Sequence, residues 1–188
     1  MALTARFEEA LVYATQLHSK QIRKGSGVPY VSHLLGVCSL ALEYGANENE
    51  AIAALLHDAV EDQGGLPRLE EIRAKFGDKV ADIVLGCSDS DTEPKPPWQQ
   101  RKENYIAHLQ KASPSVLLVS ACDKLYNARS ILADYRNIGD ELWWRFKGGR
   151  QGSLWYYRQL VLAFRKLSAP PHLIDELELV VSELENLT

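Results

Sequence analysis

The stretch Ala53-Ala54-Leu55-Leu56-His57-Asp58-Ala59-Val60-Glu61-Asp62 decides how the rest of the chain is read. It begins as a run of small and apolar residues, the pattern of a buried helix. It ends with one imidazole and three carboxylates within six residues. On a helix, His57 and Glu61, and Asp58 and Asp62, would stand one turn apart on neighbouring surface. Carboxylates gathered at the end of an apolar helix repel one another, and burying them unpaired costs a large part of a fold's stability. Two arrangements relieve this: a divalent cation among them, or an ordinary acidic turn left in water.

Working outward, the helix carrying this stretch spans Glu50 to about Val60, with Asn47 or Asn49 as its cap and Gly64-Gly65 as its break. Upstream, Tyr30 to Tyr44 has helical spacing and ends at Gly45. His33 sits in its first turn, on or near the apolar stripe, a place that suits a core histidine as well as a ligand. The preceding loop, Gln21 to Tyr30, holds two glycines, a proline and the adjacent cations Arg23 and Lys24. Such a loop is either a phosphate-holding turn or a solvated basic one. Thr4 to Ser19 forms the first helix, with His18 near its end read as structural.

Downstream, Leu69 to Phe76 and Lys79 to Leu85 are two short helices joined at Gly77-Asp78. The acidic, proline-rich segment from Cys87 to Pro97 is a long loop, either a lid or a surface excursion. Trp98 to Lys111 is a helix, and Ser113-Pro114 starts another. That helix reaches Asp123 after seven residues without a charge, so this carboxylate is expected to be buried and partnered. Asn127 and Ser130 share its face at four and seven residues on. Leu142 to Gly152 reads as a short aromatic helix followed by a glycine-rich basic loop, Gly148 to Gly152. The spacing there is not that of a Walker loop. Leu154 to Leu167 and His172 to Leu187 close the chain as helices, separated by Pro170-Pro171. No segment reads as a strand, and the predicted class is all-α.

Bulk properties narrow the function. With 188 residues and 46% hydrophobic content the chain suits one domain, 1–188, with a real core. A net charge of -4 argues against a nucleic-acid polymer as partner and leaves room for a local basic pocket. Cys38, Cys87 and Cys122 lack zinc-ligand or redox spacing and read as buried thiols in a reducing compartment. No signal peptide or membrane span is recognised, so a cytoplasmic location is expected. Trp143, Trp144 and Trp155 serve an interface as readily as a core.

The polar residues expected to be buried are His33, His57, Asp58 and Asp123. Two imidazoles and two carboxylates make a nitrogen and oxygen set that suits Mn, Fe or Zn better than Ca. On a continuous helix His57 and Asp58 diverge by about 100°, so they share a metal only if it lies off the helix flank. Glu61 or Asp62 could then take the proton of a water or position it.

The ordered pattern His33, His57-Asp58, Asp123 resembles the HD-domain metal-dependent phosphohydrolases, and most closely the small alarmone hydrolases and the hydrolase domain of the RelA/SpoT homologues. The resemblance rests on His18-Ser19-Lys20-Gln21-Ile22-Arg23-Lys24-Gly25, Pro29-Tyr30-Val31-Ser32-His33, the opening stretch, and Asp123-Lys124-Leu125-Tyr126-Asn127. Phe76-Gly77 and Trp155-Tyr156-Tyr157 add to it. It spans about residues 5–165, leaving 166–188 as a C-terminal helix.

The resemblance implies an HD-domain helical bundle and a Mn²⁺-dependent 3′-pyrophosphohydrolase of ppGpp or ppApp type nucleotides. Fe and Zn suit the same ligand set. By the same resemblance His33, His57, Asp58 and Asp123 hold the metal, and Glu61 and Asp62 handle the nucleophilic water. Arg23 and Lys24 meet base or phosphate, and Lys124, Asn127 and Ser130 face the substrate. Leu34 stands where the family usually has proline; both suit an early helical turn, and a small local change is expected. Without synthetase or regulatory regions, the chain is expected to be a stand-alone hydrolase acting on a small purine nucleotide. Guanine, adenine and NADPH substrates stay open. So do two other readings: a 5′-nucleotidase of the HD class, and a nucleotide sensor with little turnover.

Overall fold

The computed structural model describes residues 2–88, 96–167 and 169–187. The described residues form helices, with a single isolated antiparallel bridge, Ile22 to Pro29, and no strand. In order they are α1 (Ala5–Leu17), α2 (Val31–Glu43), α3 (Glu48–Leu56), α4 (Ala59–Asp62), α5 (Gly65–Phe76), α6 (Asp78–Cys87), α7 (Trp98–Leu109) and α8 (Pro114–Ile138). A 3-10 segment (Gly139–Arg145), α9 (Gly149–Lys166) and α10 (Pro171–Leu187) complete the chain. The predicted all-α class holds. Residues 89–95 of the expected lid lie outside the described residues, and Cys87 belongs to α6.

Local chemistry sets the helix starts. The Thr4 hydroxyl accepts from the Arg6 amide at 3.3 Å. Asn47 and Glu50 form a reciprocal capping box, which places α3 two residues earlier than the apolar periodicity alone would. Ser113 caps α8 with Pro114 at its first position. Gly77, at φ +85°, turns α5 into α6 in a conformation that suits glycine.

The 25-residue α8 is the axis of the bundle. It packs on α2, α3, α6, α9, α10 and the 3-10 segment. The buried Val119, Cys122, Leu125 and Ala128 face the core formed with Leu34 of α2 and the apolar run of α3. The close approach of α2 to α8 needs Gly36: a methyl group there would stand 1.9 Å from the Tyr126 ring. Gly36→Ala is therefore expected to cost about 1–3 kcal/mol by overpacking. Thermal unfolding checks this, at about 2–4 °C of Tm per kcal/mol for a chain this size; an unchanged Tm would show that the ring moves aside freely.

Two sequence expectations change. The stretch from Glu50 to Val60 is not one helix. It stops at Leu56, passes through a turn at His57-Asp58 and resumes as α4. The cause is local: the His57 Nδ1–H donates to the Ala54 carbonyl at 2.9 Å. In a continuous helix that acceptor would serve the Asp58 amide. Nor is Gly148 to Gly152 a loop. Gly149 begins α9, and the flanking glycines make room for a side chain from α7. A methyl group at Gly148 would fall 2.7 Å from the Trp98 ring, and one at Gly152 3.0 Å from it. Trp143 is in the core, whereas Trp144 is 84% exposed.

Candidate metal centre and cleft

The break between α3 and α4 brings His57 and Asp58 to one point. His57 Nε2 lies 3.0 Å from Asp58 Oδ2. From the first turn of α2, His33 Nε2 reaches to 3.2 Å of His57 Nε2 and 3.3 Å of Asp58 Oδ2. His33, His57 and Asp58 thus offer three ligand atoms within 4.8 Å of one another. From α8, Asp123 Oδ1 lies 3.3 Å from His33 Nε2 and 3.5 Å from His57 Nε2. Metal bonds of about 2.0–2.2 Å place neighbouring donors about 3.0–3.6 Å apart, which fits these separations.

The donor chemistry fits a divalent cation as well. Because His57 gives its Nδ1–H to Ala54, Nε2 is the nitrogen that faces the cluster, and loss of its proton frees a lone pair there for a cation. The outer nitrogen of His33 has no hydrogen-bond partner among the described residues. Its ring is held instead by an edge contact to Tyr30 and a tilted contact with Tyr126. Burial alone would push the Asp58 and Asp123 carboxyls up. For Asp58 the His57 charge and hydrogen bonds from both imidazoles outweigh it; for Asp123 the Lys124 charge leads. Both stay well below the usual carboxylate range. The same two carboxylates hold His57 well above its ordinary value against the pull of burial. The cluster is built to keep positive charge between two ionised carboxylates.

Outer contacts fix these ligands. The Tyr30 hydroxyl donates to Asp58 Oδ2 at 2.6 Å. Burial and the neighbouring carboxylate keep that phenol protonated far above neutral pH. Tyr30 also stacks on His18, whose Nδ1 meets Gln21 Oε1 at 2.7 Å, and Gln21 Nε2 donates to Asp62 Oδ2 at 2.7 Å. Asn127 Nδ2 donates to Asp123 Oδ1 at 2.6 Å, and the Lys124 ammonium contacts Asp123 Oδ2 at 2.5 Å. Tyr30→Phe keeps the ring and removes the bond. It is expected to weaken metal affinity about 10- to 100-fold, the usual cost of losing such an outer partner. Metal titration of stripped protein measures this, and an unchanged affinity would make Tyr30 merely a packing residue.

The cluster opens into a cleft of about 620 Å³. Asp58, Glu61 and Asp62 line one part of it. Among the described residues five cations also line it, Arg23, Lys24, Lys102, Lys124 and Arg145, in a chain whose net charge is -4. This is the local basic pocket that composition left room for. Arg23 reaches it from a tight turn in which its amide donates to the Val28 carbonyl at 2.8 Å. Its guanidinium donates to Asn127 Oδ1 at 3.0 Å and lies 5.6 Å from the Tyr126 ring centre. Aromatic rings from α7, α8 and α9 supply apolar wall.

The sequence of this chain matches the model of a family described as HD domain over residues 10–152. The chain belongs to the HD-domain family. This HD-domain protein is 38% identical over 126 residues to a Xenopus tropicalis protein named guanosine-3′,5′-bis(diphosphate) 3′-pyrophosphohydrolase MESH1, covering 65% of the chain and 68% of the relative. A Danio rerio relative of the same name is 37% identical over 131 residues, 68% of the chain and 70% of the relative. A solved structure described as a metazoan ortholog of SpoT that hydrolyzes ppGpp superposes with a TM-score of 0.76 at 27% identity, covering 98% of this chain and 96% of that one.

The residues named from the sequence as candidate metal, catalytic and substrate groups lie at the cluster or on the cleft. The metal set comes together as a group, and Glu61, Asp62, Arg23, Lys24, Lys124, Asn127 and Ser130 line the cleft. Lys124 and Asn127 are bound to Asp123, so part of their work is to hold that carboxylate. Leu34 is fully buried in the first turn of α2, next to His33. Sequence reasoning missed Tyr30 and Gln21 as supports, and Trp98, Lys102 and Arg145 as cleft lining. Tyr30 and Gln21 stood inside the quoted motifs. Trp98 and Lys102 come from α7, which packs against the glycines of α9, and Arg145 comes from the 3-10 segment and crosses Gly25, contacts that no periodicity reports.

Proposed function

We propose that this HD-domain protein is a metal-dependent nucleotide 3′-pyrophosphohydrolase, that residues 1–188 form one hydrolase domain, and that Mn²⁺ is its metal. The substrates are ppGpp and pppGpp, or ppApp and pppApp, giving GDP and GTP, or ADP and ATP. The observation that carries this is the meeting of His33, His57, Asp58 and Asp123 beside Glu61 and Asp62 at a cleft rich in cations. The guanosine named for the relatives favours ppGpp.

When bound, the metal supplies Lewis acidity and lowers the pKa of water. The chain does the rest. One of Glu61 and Asp62 takes a proton of the attacking water and the other positions that water, with Asp62 aimed by Gln21. The water oxygen joins the phosphorus attached to the 3′ oxygen. The bond from that phosphorus to the 3′ oxygen breaks, pyrophosphate leaves, and the 3′ oxygen takes up the proton removed from the water and ends as a hydroxyl. Arg23 is suited to stack on a purine, since guanidinium planes pack on π-faces. Lys24 and Lys102 offset phosphate charge.

Product analysis tests this reading. Metal-stripped protein is incubated with ppGpp and with ppApp, with and without Mn²⁺, and the products are separated by anion exchange. Metal-dependent release of pyrophosphate is expected, and the relative rates name the base. Orthophosphate as the product would point to the 5′-nucleotidase reading. Tight binding with no turnover would point to a sensor.

A further inference from the structure

We propose that Arg145 recognises the phosphates at the 5′ end of the substrate, accepting them in exchange for Asp134; this rests on the 3′-pyrophosphohydrolase reading above. Asp123, Asn127, Ser130 and Asp134 lie four, three and four residues apart along α8, so they form one stripe on one helix face. From Asp123 to Asp134 that stripe is about 16 Å long, at 1.5 Å per residue. The metal cluster stands at one end. At the other, Arg145 NH1 donates to Asp134 Oδ2 at 2.8 Å. The last three of these α8 residues line the cleft, as does Arg145. A nucleotide whose 3′-pyrophosphate occupies the metal end carries its 5′ phosphates away from it, and the stripe leads to Arg145.

Arg145 is built into the turn that carries Arg23 and Lys24. Its side chain crosses Gly25 so closely that a methyl group there would fall 2.4 Å from Arg145 Cδ and Nε. Gly25 has φ +78°, so the turn needs glycine on both counts. The other cleft cations near α8 are already engaged, Lys124 with Asp123 and Arg23 with Asn127. The Arg145–Asp134 pair lies at the rim, with side-chain exposures of 24% and 41%. A rim ion pair is weak. A phosphate offers the same guanidinium more charge than the carboxylate does and can likewise take it in bidentate geometry. Asp134 therefore acts as a placeholder that holds Arg145 over Gly25 until phosphate displaces it.

The test compares ppGpp with guanosine 3′-diphosphate, which lacks the 5′ phosphates, in the wild type and in Arg145→Ala, Arg145→Lys and Asp134→Asn variants. For ppGpp, Arg145→Ala is expected to raise KM about 10- to 100-fold, as loss of a charge-assisted bidentate contact does. For guanosine 3′-diphosphate its KM stays within about twofold, and kcat for both changes little. Arg145→Lys recovers part of the loss. Asp134→Asn lowers KM for ppGpp by up to about fivefold, the worth of a rim pair. Equal losses on both substrates would show that Arg145 only props the turn, and would overturn the proposal, as would unchanged KM for ppGpp. Absence of pyrophosphate release by the wild type from either nucleotide would remove the hydrolase reading. Calorimetry with GDP and guanosine then decides separately: Arg145→Ala must weaken GDP and spare guanosine, and equal GDP affinity overturns the assignment.

Discussion

Asp58→Ala is expected to lose bound metal and pyrophosphate release together. Asp58 Oδ2 touches both imidazole nitrogens of the cluster, and its removal leaves Asp123 as the remaining carboxylate there. Metal assistance contributes several kcal/mol to the transition state, so the rate should fall by about 10³-fold or more. Elemental analysis of the purified variant and pyrophosphate release under saturating Mn²⁺ are read side by side. Full activity with full metal content would mean that the reaction is carried elsewhere. Circular dichroism separates loss of metal from loss of fold, which matters because His57 is 2% exposed and loses one of its two carboxylate neighbours.

Glu61→Gln should give the opposite split. Glu61 lines the cleft on α4, and its carboxylate lies 4.0 Å from the Arg101 guanidinium. The amide keeps the size of the side chain and removes the base. A fall of about 10²- to 10⁴-fold in kcat, the usual worth of general-base catalysis, is expected with metal content and KM retained. Loss of metal along with activity would make Glu61 a support of the cluster. An unchanged kcat would assign the proton to Asp62, which Gln21 already orients.

Much of this site was legible because its parts are polar residues in apolar surroundings. Asp123 follows an uncharged run on α8, and such a carboxylate has to find partners; it finds His33, His57, Lys124 and Asn127. The stripe formed with Asn127 and Ser130 follows directly from helical spacing. The break at His57-Asp58 was not legible, because helix periodicity predicts where apolar faces lie and is silent on a ring that captures a carbonyl three residues back. The same limit hid the start of α9. Three glycines around Arg150 read as a loop, and only the Trp98 ring seated on two of them shows why the start of a helix uses glycine there. Arg145 was invisible for a third reason. It belongs to the 3-10 segment and reaches the cleft by crossing Gly25, a contact between residues 120 positions apart.

The early end of α3 has an electrical consequence. A helix carries about half a negative charge at its C-terminus, concentrated on the carbonyls of the last turn. His57 is the C-cap of α3, so that end of the dipole abuts the two ligand carboxylates. That partial charge adds to those of Asp58 and Asp123, opposite the cationic His57 and Lys124, and favours a cation between them. Such a pocket gathers whichever divalent ion is abundant, and selection among transition metals falls to supply more than to raw affinity. The metal found in freshly isolated protein should therefore track the growth medium, and the working ion is the one that restores turnover to the stripped enzyme.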